Sequence, residues 1–576
     1  MRRPVTRDTN TSEVAIPTLI AILGLLIILP VGVLILGSFL TAPPRALHID
    51  FTGLTLANYR AAFTTDGFLP LLGATVGLAA LGTAGAVLIG ATLAFLSVRT
   101  DIPGRRVLEA VAVMPMFVPP LVGAFAWDIL ASPRSGIINI LLRPLGLSQA
   151  INVYSAGGIA FVFAIYYCPY VVLFCTAAMR GIDAALEEAA CIAGASRFRL
   201  ALDVTLPLIA PALMSAALLV FVLLIELFSI PAVLAEPGNI HVLSVRIWEL
   251  VGFSPPKVNE ASAFGVLLLL MTIVLVLGQH RVMARRSYVT FGGKGRRADP
   301  VALGPWRWPL AGLGFLYLVV AVILPFAALL LIALRRNLFF STVHALVNPA
   351  QYTFAQFGVA FADPVVRQSL INSLLVSLAT ILLGLILYFA IAYAVHRTRL
   401  RGRRALDIIA VMPVAIPGLI IGLGYLWSWI TLPIGLYGTL WIIILAYISQ
   451  FSPQGVRAIA GSLIQIHPEL EESSRIAGAG PLTTILRIVV PLARPGMVSA
   501  AILLLVLSFR EFATALFLYT SNTQVFSLTM FDFWERGSTG LVAVMALIQA
   551  GLLFIIVMGG RLLFGGDDGP TAPGSG

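Results

Sequence analysis

The sequence predicts an all-α polytopic membrane protein made of two homologous six-helix transmembrane halves, about twelve spans in all. Three observations carry this. Hydrophobic residues make up 59% of the 576 residues and charged ones 11%, with a mean hydropathy of +0.98, whereas soluble domains are roughly a quarter charged. The apolar residues gather in runs of about 20, the length that crosses a bilayer core. Two blocks of sequence also recur downstream at nearly constant offset. A soluble enzyme, a disordered chain and a collagen-like repeat are excluded by composition. Cys168, Cys175 and Cys191 form no disulfide framework or metal spacing.

Taken in order, the runs place spans near 14–40, 69–98, 107–131, 157–179, 208–234, 261–283, 306–334, 369–396, 405–432, 437–459, 492–518 and 538–563. The first follows Met1-Arg2-Arg3 but is far longer than the roughly 7–15 residues of a signal-peptide core, so it reads as a retained helix. The net charge of +11 is topological. With the N-terminus inside, 26 of the 37 Lys and Arg fall on inner segments, in clusters such as Arg105-Arg106, Arg285-Arg286 and Arg403-Arg404, and 11 fall outside. Cytoplasmic loops accumulate such residues, which predicts that both termini are cytoplasmic. The longer outer loops, about 41–68, 235–260 and 335–368, carry Pro, Gly and Asn.

The repeat fixes the organisation. Residues 99–119 (RTDIPGRRVLEAVAVMPMFVP) match 397–417 (RTRLRGRRALDIIAVMPVAIP) at an offset of 298, and 186–211 (LEEAACIAGASRFRLALDVTLPLIAP) match 470–495 (LEESSRIAGAGPLTTILRIVVPLARP) at an offset of 284. The 14-residue difference falls in the outer loop between the third and fourth spans of the first half. Six spans per copy is an even number, so both copies share one orientation and can be related by an axis along the membrane normal, with a path between them. The expected units are a first half, 1–283, a basic Gly-rich cytoplasmic linker, 284–305, a second half, 306–566, and a tail, 567–576.

Between the fourth and fifth spans of each half lies a short hairpin, 183–207 and 467–491. Residues 183–193 (DAALEEAACIA) are Ala- and Glu-rich with Asp183 placed to cap a helix. Gly194 permits a turn, a second helix is expected at about 196–205, and Pro207 fixes the direction of the next span. The pattern Glu188-Ala189-Ala190, Gly194, Val204, Leu206-Pro207 resembles the EAA loop of inner-membrane permease subunits of binding-protein-dependent ABC importers, and so does its second copy, Glu472-Ser473-Ser474, Gly478, Ile488, Val490-Pro491, with Ser for both Ala. The likeness covers both halves from about residue 57 and is greatest to fused permeases of the iron(III), thiamine and phosphonate type.

The resemblance implies that Glu187, Glu188, Ala189, Ala190 and Gly194, with Glu471, Glu472, Ser473 and Gly478, dock a homodimer of cytoplasmic ATPases, and that an extracytoplasmic solute-binding protein delivers the solute to the inner (plasma) membrane. The other reading of each hairpin is an amphipathic interfacial element. The chain has no G-x-x-x-x-G-K-[ST] loop, His-x-x-x-His, CxxC or G-x-S-x-G. It is therefore expected to be a transport subunit and not an enzyme, with no catalytic residue, metal site, cofactor or nucleic-acid partner.

Ionisable residues within spans are functional candidates because insertion costs about 2.5–3.5 kcal/mol each. Glu226 and Arg510 occupy the same repeat position with opposite charge, and Glu511 follows. They read either as a translocation-path pair or as a structural ion pair. Met114-Pro115 with Pro119, and Met412-Pro413 with Pro417, predict helix kinks. Tyr166, Tyr167, Tyr170, Tyr425, Trp427 and Trp429 fit a membrane-interface belt or a solute site. The motif Ser508-Phe509-Arg510-Glu511 with Leu518-Tyr519 and Ser527-Leu528 resembles iron-type permeases, which makes iron(III) the first substrate expectation, ahead of phosphonate, thiamine or polyamine. The rival mechanism, an ion-gradient-driven secondary transporter, has no use for paired docking hairpins.

Overall fold

The computed structural model describes residues 9–43, 45, 53–64, 67–147, 149–183, 192, 199–285, 301–337 and 342–564. The first half contains α1 (Ala15–Ser38), α2 (Phe68–Arg99), α3 (Arg105–Val113), α4 (Pro120–Ala131), α5 (Ala156–Arg180), α6 (Leu206–Glu226), α7 (Leu243–Gly252) and α8 (Val258–Arg285). The second repeats this order with α9 (Gly304–Ala333), α10 (Pro364–Arg397), α11 (Arg403–Val411), α12 (Gly418–Thr431), α13 (Leu440–Gln450) and α14 (Ser452–Gln465). It continues with α15 (Pro468–Ile476), α16 (Val490–Arg510), α17 (Phe526–Glu535) and α18 (Thr539–Phe564). The protein is all-α and polytopic, with only isolated backbone bridges besides helices among the described residues.

The count of spans differs from twelve. Among the described residues nine helices are long and apolar enough to cross, or eleven if two bent pairs each count once. Those pairs are the expected spans at 107–131 and 405–432, where α3–α4 bend by 97° and α11–α12 by 110°. The prolines make a break there instead of a kink, because Pro115, Pro119 and Pro120 and their counterparts Pro413 and Pro417 interrupt successive backbone donors. Gly104 and Gly402 start the two pairs at φ +75° and +93°, a conformation that favours glycine. The expected span 437–459 is two helices, α13 and α14, with Phe451 between them. The expected spans 208–234 and 492–518 stop at Glu226 and Arg510, where Leu227 and Glu511 turn extended.

Prolines also explain a finer feature. Widened π-helical turns at Gly24–Ile28, Leu200–Thr205, Val319–Ile323 and Ile485–Val489 each end two residues before a proline, namely Pro30, Pro207, Pro325 and Pro491. Proline clashes with the carbonyl four residues back and gives it no donor, and a wider turn moves that carbonyl aside. The return arm of the second hairpin therefore runs on into α16 as one 30-residue helix, Pro481–Arg510, where two separate helices are expected.

The halves interlock through their first helices. α1 packs on α12 of the second half, where Gly424 lies so near Pro30 O that a Cβ would come within 2.6 Å. The carbonyl of Leu26, which Pro30 leaves without its helical partner, accepts hydrogen bonds from Tyr425 Oη at 2.8 Å and Ser449 Oγ at 2.9 Å. Reciprocally, α9 packs on α3 and α4, and Tyr317 Oη lies 3.2 Å from Cys168 Sγ. Within the first half, Gly82, Gly85 and Gly90 of α2 let α5 approach so closely that a Cβ would meet Phe163, Ala164 and Val171 below 3 Å. Small residues at such crossings give van der Waals contact where lipid supplies no hydrophobic drive.

Candidate translocation path and docking hairpins

The ends of α6 and α16 meet near the axis between the halves. Phe228 and Phe512, equivalent at the offset of 284, stack with ring centroids 5.4 Å apart. Residues at equivalent positions can touch only beside the axis that relates them. Phe531 of α17 closes on Phe512 at 5.1 Å and the half-buried Trp534 on Phe531 at 5.7 Å, so an aromatic plug of Phe228, Phe512 and Phe531, all buried, packs between the ends of α6 and α16. The pairing of Phe228 with Phe512 escapes hydropathy, because both stand in apolar runs. The alignment of Glu226-Leu227-Phe228 with Arg510-Glu511-Phe512 is the signal that could have found it.

Both chain breaks are held in the same way. Ser244 Oγ donates to Leu227 O at 2.9 Å and Ser527 Oγ to Glu511 O at 2.8 Å, each capturing the carbonyl released where the helix ends. Glu511 Oε1 accepts from Thr514 N and Oγ1, both at 3.0 Å. Arg510 Nη1 donates to Met116 O at 2.6 Å. That carbonyl faces Pro120 four residues on, which has no N–H to offer it. Arg510 therefore joins the second half to the break in the first. Among the described residues no ion pair joins Glu226 to Arg510; Glu226 is instead within electrostatic reach of Glu511 and keeps partial contact with solvent.

Of the aromatic candidates, Tyr166, Tyr167, Tyr425, Trp427 and Trp429 are buried and Tyr170 is half-buried, so none forms a belt facing lipid headgroups. Tyr167 and Tyr170 stack at 5.9 Å, and Tyr167 is within electrostatic reach of Glu226, Arg510 and Glu511. Trp427 Nε1 donates to Ser262 Oγ at 2.7 Å, which pins α12 to α8. Tyr167 and Tyr170 thus lie near the axis with the Glu226 and Glu511 carboxylates, whereas Trp427 serves packing.

The hairpin at 467–491 is fully described. Pro468 begins α15, whose first turn carries Glu469 and Glu471 where the helix dipole favours negative charge. Gly478 turns the chain at φ +86°, and Ser474 Oγ lies 2.9 Å from Thr484 Oγ1 across the two arms. Glu472, Ser473 and Gly478 are exposed. Glu471 is not: only 6% of its surface is open, and it faces Arg397 and Tyr393. Glu187, Glu188, Ala189, Ala190 and Gly194 of the first hairpin lie outside the described residues. Ile192 of that hairpin is 88% exposed, and its equivalent Ile476 is 87% exposed.

Residues 86–287, and again 389–562, match the family described as binding-protein-dependent transport system inner membrane component. Each match contains one hairpin and one end of the central axis. The chain belongs to this family. It is thus a multi-pass permease of an ABC-type import system, fused from two copies. It is similar to the "Ferric transport system permease protein FbpB" of Actinobacillus pleuropneumoniae, 27% identical over 484 residues that cover 82% of this chain and 67% of the relative. The "Probable ABC transporter permease protein y4fN" of Sinorhizobium fredii is 27% identical over 480 residues, 81% of this chain and 82% of the relative. A crystal structure of a bacterial ABC transporter involved in alginate import is 19% identical at a TM-score of 0.36, covering 42% of this permease and 86% of that chain.

Proposed function

We propose that this permease forms the whole solute path of a ferric-iron importer, driven by two copies of a cytoplasmic ATPase seated on the hairpins at 183–207 and 467–491 and supplied by an extracytoplasmic binding protein. The observation that carries the docking reading is the pair Ile192 and Ile476, two large apolar side chains at equivalent positions, both almost fully exposed. One exposed apolar side chain is ordinary, but a large one kept at both equivalent hairpin positions supports a contact role. The exposed acid Glu472, and Glu188 at the equivalent place in the sequence, then orient the partner. Val301 N donates to Arg99 O at 2.8 Å, which sets the end of the 284–305 linker against the basic loop after α2 and supports placing both on the cytoplasmic side with the two termini.

The ferric reading rests on the name of the Actinobacillus relative and on the chemistry of the axis. Glu226, Glu511, Tyr167 and Tyr170 offer carboxylate and phenol oxygens, which suit a hard cation. A relative from Yersinia pestis, 30% identical over 275 residues and 46% of this chain, is an sn-glycerol-3-phosphate permease. Such an anion would meet two carboxylates, Glu226 and Glu511, against the single Arg510 guanidinium near Tyr167. Cells carrying the permease, its ATPase and its binding protein should take up radioactive ferric citrate. Glu226→Gln should lower that uptake at least fivefold at matched membrane abundance, and Ile192→Asp with Ile476→Asp should strip the ATPase from the purified complex. Uptake of glycerol phosphate without iron would replace the substrate reading, and full ATPase retention would remove the docking reading.

A further inference from the structure

Away from the axis, a cluster of buried charge lies where the second hairpin meets α10. Glu471 Oε1 is 3.5 Å from Arg397 Nε, and its Oε2 accepts a hydrogen bond from Tyr393 Oη at 2.9 Å and lies 3.8 Å from Arg475 Nη2. Arg397 Nη2 also donates to Leu463 O at 2.8 Å and Ile466 O at 2.5 Å, carbonyls at the end of α14. One guanidinium at the tip of α10 thereby ties three elements together: its own helix, the end of α14 and the hairpin helix α15. Glu472, one residue on, points to solvent, so neighbouring acids in the same hairpin have opposite tasks.

The other end of α10 is equally fixed. Asn372 Nδ2 donates to Asn522 O at 3.0 Å and Gln524 O at 2.9 Å, and Ser373 Oγ accepts from Phe526 N at 2.7 Å, the first residue of α17. α17 carries Phe531 of the aromatic plug and Ser527, which holds the backbone of Glu511. α10 is one 34-residue helix, and the part from Asn372 to Arg397 spans about 37 Å at about 1.5 Å per residue. Its sole proline, Pro364, is the first residue, so nothing interrupts its backbone ladder.

We propose that Glu471 is a positioning residue of energy coupling and not a docking contact: the Arg397–Glu471–Tyr393 cluster clamps the hairpin to α10, and α10 carries hairpin displacement to the plug at Phe512 and Phe531. A packed helix with fixed ends shifts as a body, which suits it to link two sites. Arg99, the equivalent of Arg397, is likewise buried at the end of α2. At the opposite end of α2, Thr75 Oγ1 accepts from Leu243 N at 3.0 Å, as Ser373 does from Phe526 N.

This inference rests on the docking reading, and one experiment separates the two. In a background with Cys168, Cys175 and Cys191 replaced by serine, Ser521→Cys on the exposed loop before α17 carries an environment-sensitive fluorophore. The permease–ATPase complex is compared without nucleotide and after trapping with ATP and vanadate. The unaltered clamp should give a fluorescence change. Glu471→Gln should keep copurified ATPase within about twofold yet reduce the change at least threefold; Tyr393→Phe, which keeps the ion pair, should reduce it less. Ile476→Asp should lose the ATPase itself. A full response in Glu471→Gln, no response with the clamp intact, or loss of ATPase from Glu471→Gln to the extent seen in Ile476→Asp overturns the proposal. Retention of ATPase by Ile476→Asp identifies the docking reading as the failure. Should Glu471→Gln not accumulate, Arg397→Lys, which keeps the charge but not the forked donors, is read in the same way.

Discussion

The two halves solve the same break with different residues. In the first half Pro120 starts α4 and cannot give the Met116 carbonyl its helical N–H, and Arg510 reaches across from the second half to supply the donor. In the second half the residue equivalent to Pro120 is Gly418, which keeps its N–H, and the residue equivalent to Arg510 is Glu226, which has no donor when ionised. Donor and acceptor requirements thus change together at positions far apart in sequence. The Arg at one repeat position answers a local backbone need, and no such need falls on Glu226, the residue proposed for the path.

A second exchange acts through volume. Gly90 of α2 packs against Val171 of α5; at the equivalent sites the second half has Tyr388 and Gly455, with the ring lying over the glycine. The small residue has moved from one helix to its partner. α5 runs unbroken past Pro169, whereas its counterpart is divided at Phe451 just before Pro453.

The largest effect should come from crowding the second pair. A Cβ on Gly455 would come within 2.2 Å of the Tyr388 ring, so Gly455→Val should destabilise by about 3 kcal/mol, the upper part of the usual overpacking range. Adding Tyr388→Gly recreates the first half's arrangement and should recover most of that loss. Thermal stability in detergent, read as monodisperse protein left after heating, measures both variants. Failure of the double variant to recover would show that the two sites are not interchangeable in shape.

Next in size is the break itself. Arg510→Met should cost about 1.5–3 kcal/mol, as expected for a hydrogen bond from a charged donor to a carbonyl that has no other helical partner. Pro120→Gly supplies an N–H at that carbonyl, so Arg510→Met should be much less harmful in its presence. A double-mutant cycle on the same thermal readout gives the coupling. Glu226→Gln, in contrast, should leave stability within about 0.5 kcal/mol, the range of ordinary tolerated changes, while lowering transport. Equal stability losses for Arg510→Met with and without Pro120→Gly would remove the donor explanation.

These contrasts also mark what the sequence could disclose. The two offsets made the duplication, the second hairpin and the equivalence of Glu226 with Arg510 legible, because sequence similarity survives where local turns must be kept. The ends of α6 and α16 were hidden, since LLIELFSIPAVL stays apolar on both sides of Leu227 and hydropathy does not register a change of backbone direction. The exchange of α1 and α9 between halves was hidden for a related reason: an apolar face specifies burial but not which helix covers it. Glu471 and Glu472 are chemically identical neighbours, and only the phase of α15 turns one toward Arg397 and the other toward solvent.

The smallest expected effect tests whether the divided fourth span of the second half depends on Tyr388. Its hydroxyl donates to Ile448 O at 2.6 Å, deep in the bundle, and Ile448 lies on α13 just before the break at Phe451. The helical partner of that carbonyl would be Ser452, which instead begins α14 and turns its hydroxyl to Ala410 O at 2.8 Å. Tyr388→Phe keeps the ring over Gly455 and removes only the donor. Polar contacts between membrane helices average about 0.6 kcal/mol, so a small drop in thermal stability is expected, well below that of Gly455→Val. If Tyr388→Phe costs as much as Gly455→Val, the hydroxyl and not the volume exchange holds the division of this span. If it costs nothing measurable, the break is set by Pro453 and ring packing alone, and the contrast between the halves reduces to the placement of one glycine.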